Sequence, residues 1–129
     1  MDAPVTVTAF DHLVLRCADV DVTLAWYVDV LGLQPMRVKE WRAGEIPFPS
    51  VRVDAGTIID LISRRDNSSG SGSVDHFCLV VDDVDLDALA TSGVFDVVET
   101  TATRYGARGN GTSLYVRDPD GMTVELRHY

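Results

Sequence analysis

The chain nearly repeats itself. Phe10 to Ala25 aligns without a gap on Val74 to Leu89 at a constant shift of 64 residues. Asp11 falls on Asp75, His12 on His76, Leu15 on Leu79, and Asp19-Val20-Asp21 on Asp83-Val84-Asp85. Further along, Gly56 to Leu61 falls on Gly121 to Leu126 at a shift of 65, which lays Ile59-Asp60-Leu61 over Val124-Glu125-Leu126. A duplicated chain is constrained to an architecture built from two like units. Each half also carries one histidine near its start and one carboxylate near its end. Two imidazoles and two carboxylates in pseudo-symmetric positions make a ligand set for a divalent metal.

With 129 residues the length fits one compact domain, and halves of about 60 residues are marginal alone, so they are expected to share a core. The reading is a single domain, residues 1–129, made of module 1 (5–65), a linker (66–73) and module 2 (74–129). The linker is the run Asp66-Asn67-Ser68-Ser69-Gly70-Ser71-Gly72-Ser73, which has no side chains suited to packing. A net charge of -9 argues against nucleic acid and anionic membranes as partners. The N-terminus Met1-Asp2-Ala3-Pro4 lacks a positive region followed by an apolar run, and no stretch approaches a membrane span, so a cytoplasmic location is expected. Cys17 and Cys78 form no Cys-x-x-Cys pair and read as reduced, apolar strand residues.

β-Branched and apolar residues from Val5 to Cys17 predict a strand. Asp19-Val20-Asp21 then offers helix caps, Leu24, Tyr27, Val28 and Leu31 follow helical spacing, and Gly32 stops the helix. Strands are expected over Leu33 to Val38, Ser50 to Asp54 and Thr57 to Ser63. The second half repeats the order, with a strand over Val74 to Val81 and a helix carrying Leu86, Leu89 and Ala90, capped by Asp83 or Asp85 and ended by Gly93. Strands over Val94 to Thr100, Thr112 to Arg117 and Met122 to Arg127 complete it, with Asp118-Pro119-Asp120-Gly121 as a turn before the last. Helices follow only the first strand of each module. The fold class is therefore α+β, two tandem βαβββ modules giving an eight-stranded, cupped mixed sheet.

In a module-on-module arrangement His12 and His76 approach a common point near the pseudo-twofold axis. Asp60 and Glu125 each lie mid-strand between aliphatic residues, where an unpaired carboxylate is costly to bury and a cation removes the cost. The candidate ligands are His12, Asp60, His76 and Glu125, for one divalent metal per chain: Zn, Ni, Co, Mn or Fe. In the segment Arg104 to Tyr115, Arg104, Arg108 and Asn110 are candidates for holding a carboxylate or phosphate, and a plain glycine-rich hairpin is the competing reading. Trp41, Ile46, Phe48 and the prolines Pro47 and Pro49 lie in a connection that suits a lid or a dimer interface.

From Phe10-Asp11-His12-Leu13-Val14-Leu15 to Asp118-Pro119-Asp120-Gly121-Met122-Thr123-Val124-Glu125-Leu126, the chain resembles the vicinal oxygen chelate superfamily. That group takes in glyoxalases, bleomycin resistance proteins and dioxygenases, and the ending resembles glyoxalase-domain proteins labelled virulence-associated. The resemblance places metal ligands on the first and last strands of each module, hence on His12, Asp60, His76 and Glu125. Asp60 departs from the longer side chains usual there, so a three-ligand site of His12, His76 and Glu125 stays open. A similarity to fosfomycin-resistance members adds Ser113 and Tyr115 as substrate-binding candidates, although Val14 replaces their threonine. The resemblance also implies a homodimer and a small-molecule substrate. The leading function is a lyase or isomerase working through an enediolate-like intermediate, with Glu125 or Asp60 moving the proton. A metal-free drug-sequestering protein of the bleomycin-binding type and an Fe(II) extradiol-type dioxygenase are the alternatives.

Overall fold

The computed structural model describes residues 3–64, 72–117 and 122–129. The elements are β1 (Val7–Cys17), α1 (Val20–Ala25), β2 (Gln34–Met36), α2 (Val38–Arg42), β3 (Ser50–Asp54), β4 (Thr57–Ser63), β5 (Val74–Val81), α3 (Leu86–Thr91), β6 (Asp96–Gly106), β7 (Gly109–Arg117) and β8 (Thr123–His128). The eight strands run in the order β2-β3-β4-β1-β5-β8-β7-β6. β5 and β8 are parallel, whereas β2 with β3, β3 with β4, β6 with β7 and β7 with β8 are antiparallel. This is the expected α+β fold on a mixed sheet. Residues 66–71 of the expected linker, and the turn at 118–121, lie outside the described residues.

The chain gathers into two compact units, Leu13–Asp75 and Met1–His12 with His76–Tyr129. The division falls inside β1. In the first of these units Leu24 of α1 packs with Cys17, Val51 and Leu61, and Trp41 lies partly buried against that core. In the other, Leu86 of α3 packs with Val81, Leu114, Val116 and Leu126. Both cysteines are buried and free.

Helix starts follow their caps. Asp19 accepts from Val22 N at 3.3 Å and Asp85 from Ala88 N at 3.0 Å, each satisfying an amide that the first turn leaves without a partner. Gly32 and Gly93 end the two helical segments at φ 75° and 82°, the left-handed geometry glycine adopts without strain. The helix expected up to Leu31 is α-helical only to Ala25. Trp26–Val30 widens into a π-helical turn in which Leu31 N donates to Trp26 O at 3.3 Å.

Other boundaries also differ from expectation: β1 starts at Val7 in place of Val5, β7 at Gly109 in place of Thr112, and β8 spans Thr123–His128 in place of Met122 to Arg127. The strand expected over Leu33 to Val38 stops at Met36, because Arg37 takes φ 60° and ψ 22°, a left-handed geometry a strand cannot contain, and Val38 then opens the short helix α2. The strand expected over Val94 to Thr100 instead runs from Asp96 to Gly106. It pairs with β7 as far as Gly106 opposite Gly109, so the glycine-rich segment is the tip of a long hairpin.

Candidate metal centre

Period-two geometry assembles the site from four neighbouring strands, β1, β5, β8 and β7. On β8, Glu125 and Arg127 share one face, while Val124 and Leu126 share the other, where Leu126 enters the core. Register places Cys78 of β5 beside Glu125 on one side and Tyr115 of β7 beside it on the other. His76, two residues before Cys78, and Ser113, two before Tyr115, point to the same face. His12, at the end of the β1 segment belonging to this unit, completes the group.

Three donor atoms converge. Glu125 Oε1 stands 3.2 Å from His12 Nε2 and 3.2 Å from His76 Nε2, and the ligand atoms of the three residues all lie within 4.8 Å of one another. Two donors about 2.1 Å from a metal, at octahedral or tetrahedral angles, are about 3.0 to 3.4 Å apart. The observed spacing falls inside that interval. Two imidazoles and one carboxylate suit Zn, Mn, Fe, Co or Ni, so the residues fit a divalent cation.

The donors are held from behind. Asp11 Oδ2 accepts from His12 Nδ1 at 2.7 Å, which keeps the proton on Nδ1 and turns Nε2 toward Glu125. Ser113 Oγ donates to Glu125 Oε2 at 2.7 Å, and Arg127 Nε and Nη2 donate to the same oxygen at 3.2 and 2.9 Å. Asp11, Ser113 and Arg127 are fully buried, and Glu125 is 1% exposed.

Burial and neighbouring charges shift the titration of His12, Glu125, Cys78 and Tyr115. Burial lowers the pKa of His12, but its contacts with Asp11, Cys78 and Glu125 outweigh this and raise it to about 12. Burial raises Glu125, and the two histidines with Ser113 more than reverse this, leaving it well below the usual carboxylate range. Burial pushes the Cys78 thiol up to about 12. Burial and the Glu125 charge push the Tyr115 hydroxyl above its ordinary value. Burial beside two carboxylates, Asp11 and Glu125, favours positive charge at His12, and a divalent cation between His12, His76 and Glu125 would meet the same preference.

Of the residues expected from the sequence, the structure brings together His12, His76 and Glu125. Asp60 belongs to the other unit, where it is 2% exposed and accepts from Ser50 Oγ. Tyr115 lies with its ring against His76, centroids 5.2 Å apart, and the Arg104 guanidinium sits 4.9 Å over that ring while pairing with Glu99 at 2.7 Å. Ser113 is bound to Glu125. Arg108 lies at the hairpin tip over the Tyr129 ring, and Asn110 is exposed. Asp11, Arg127 and Tyr129 also belong to the site, although they are not among the residues expected there from the sequence. Arg127 had one available signal, its place two residues after Glu125 on the same strand face.

The chain thus combines an α+β fold on a mixed eight-stranded sheet with a buried His, His, Glu cluster whose donor atoms could hold a metal ion. The family model for the Glyoxalase/Bleomycin resistance protein/Dioxygenase superfamily matches residues 9–126, and the chain belongs to that family. It is 30% identical over 123 residues to a virulence protein of Salmonella typhimurium, covering 92% of this chain and 83% of the relative. It is 33% identical over 127 residues to a glyoxalase domain-containing protein of Mycosarcoma maydis, covering 96% and 70%. Among solved structures, methylmalonyl-CoA epimerase from Mycobacterium tuberculosis superposes with a TM-score of 0.65 at 23% identity, covering 99% of this chain and 92% of that one.

Proposed function

We propose that the chain is a metal-dependent lyase or isomerase of the glyoxalase type, acting on a small molecule with two adjacent oxygens. The observation that supports this most directly is the convergence of the buried donor atoms His12 Nε2, His76 Nε2 and Glu125 Oε1. An architecture shared with methylmalonyl-CoA epimerase supports the isomerase side of the reading. A divalent cation bound there supplies Lewis acidity, stabilising charge that develops on a chelating substrate when a proton leaves the adjacent carbon.

The protein's own groups have separate duties in this proposal. His12, His76 and Glu125 hold the cation, and the Glu125 and Asp60 carboxylates are the candidates for moving the proton. Tyr115, its ring against His76, and Arg104, over the Tyr115 ring, are proposed substrate contacts beside the donor cluster. Ser113 serves the substrate indirectly, by holding Glu125. Arg108 and Asn110 remain candidates at the hairpin tip.

The test is proton NMR in deuterated water with α-hydroxycarbonyl, hemithioacetal and 2-substituted thioester compounds. Metal-loaded protein should exchange the carbon-bound α-proton of a chelating compound, and metal-free protein and Glu125→Gln should not. Two histidines and one carboxylate also match the ligand set of non-haem Fe(II) oxygenases, which favours a ring-cleaving dioxygenase as the second reading. Oxygen uptake with catechols under Fe(II), with no exchange in the screen, would decide for it.

A further inference from the structure

We propose that Tyr129, Arg127 and Asp11, braced by the tip of the β6–β7 hairpin, form one frame that orients two donors of the metal centre together. His12 is set through Asp11, Glu125 is set through Arg127, and the Tyr129 hydroxyl joins the two arms. The inference rests on the metal-centre reading above and assigns positioning residues to it.

The Glu125 arm leaves one oxygen available. Oε2 is taken by Ser113 Oγ and by two nitrogens of Arg127, so only Oε1 faces the imidazoles. Arg127 is fixed in turn by donating from Nη2 to Tyr105 O at 2.9 Å and from Nη1 to Gly109 O at 3.3 Å. A carboxylate held this way would offer a cation the single oxygen Oε1, beside the two imidazoles.

The His12 arm is held as fully. Asp11 Oδ2 accepts from His12 Nδ1 and from Ala107 N at 3.0 Å, while Oδ1 accepts from the Tyr129 hydroxyl. That same hydroxyl oxygen accepts from Arg127 Nη1 at 3.3 Å and from Arg108 N at 3.2 Å. One atom of Tyr129 thus touches both arms and the hairpin tip.

The hairpin glycines make room for the frame. A Cβ on Gly106 would lie 2.5 Å from Arg127 Cζ and 2.5 Å from the Tyr129 hydroxyl, and one on Gly111 would lie 2.7 Å from His128 O. Gly106 does not have the positive φ that calls for glycine elsewhere in this chain, so at this position the need is space. Stability alone does not account for the arrangement, because well-packed apolar residues commonly replace buried ion pairs at no loss. Orientation of the donors does account for it.

Co(II) is the probe, bound to wild type, Tyr129→Phe, Arg127→Lys, Glu125→Gln and the double variant. Affinity is read by calorimetry, coordination by the visible d–d spectrum, and folding by thermal melting of the metal-free proteins. Tyr129→Phe keeps the ring and removes only the joint. It should weaken Co(II) binding about 10- to 100-fold and change the spectrum while the protein stays folded. Arg127→Lys keeps the charge and loses the fork; it should weaken binding alone and add no further loss in the Glu125→Gln background. Tyr129→Phe binding Co(II) like wild type with an unchanged spectrum would overturn the frame and leave the metal centre standing. Simple addition of the Arg127→Lys and Glu125→Gln losses would do the same. Wild type that binds no Co(II) would overturn both together.

Discussion

Gly106→Ala is the mildest change in the chain that should strike the centre from a distance. The added methyl would overlap the Arg127 guanidinium, Cζ being 2.5 Å from the ideal Cβ position. Arg127 is 0% exposed and its nitrogens reach Glu125, Tyr105 O, Gly109 O and the Tyr129 hydroxyl, so it has no free rotamer to retreat into. If the hairpin backbone yields instead, the cost is that of overpacking, about 1 to 3 kcal/mol. If Arg127 yields, Glu125 is left buried without its cation, at about 3 to 5 kcal/mol. Gly93→Ala, at the end of the α3 segment, is the matched control. Gly93 has φ 82° and nothing within 4 Å of its added Cβ, so the substitution adds only backbone strain, about 1 to 2 kcal/mol. Urea unfolding of the two metal-free variants should place Gly106→Ala as the less stable. Co(II) titration should show weakened binding in Gly106→Ala and near wild-type binding in Gly93→Ala. A Gly106→Ala protein within about 0.5 kcal/mol of wild type, the level of an ordinary surface change, would refute the reasoning.

Elemental analysis of His12→Ala, His76→Ala and Glu125→Ala should show the metal lost from each, with native circular dichroism; full metal in any two of them rules out the shared centre. Asp60→Ala should retain more metal than these three, and equal loss would make Asp60 a direct ligand. We also propose a homodimer, for which light scattering at micromolar concentration should give twice the chain mass, and a particle of single-chain mass counts against it.

Element types were legible wherever local chemistry decides them. Asp19 and Asp85 cap the helices the sequence assigned to them, and β3, β4 and β5 keep their expected bounds, because caps and alternation act over a few residues. Boundaries slipped where the backbone broke a local rule without a residue that advertises it. Arg37 is left-handed with neither glycine nor asparagine to signal it, and the long β6 with its register shifts between Val97 and Ala102 replaced an expected loop.

The pseudo-repeat pointed to His12, Asp60, His76 and Glu125 as candidate donors, of which the structure gathers His12, His76 and Glu125, because two copies of one pattern carry information that a single histidine does not. It stayed silent on their supports. Asp11 and Asp75 align in the repeat, yet Asp11 is fully buried against His12 while Asp75 pairs with Arg16 at 2.8 Å. Sequence by itself determined most of the strands, the two helix starts, the duplication and the candidate donors, since each follows from period, capping or spacing along the chain. Tertiary structure decided that Ser113 and Arg127 bind one oxygen of Glu125, that Tyr129 joins Asp11 to Arg127, and that Gly106 is there to leave them space. The joining of Tyr129 to Asp11 spans 118 residues, and only the pairing of distant strands brings such groups within hydrogen-bond reach.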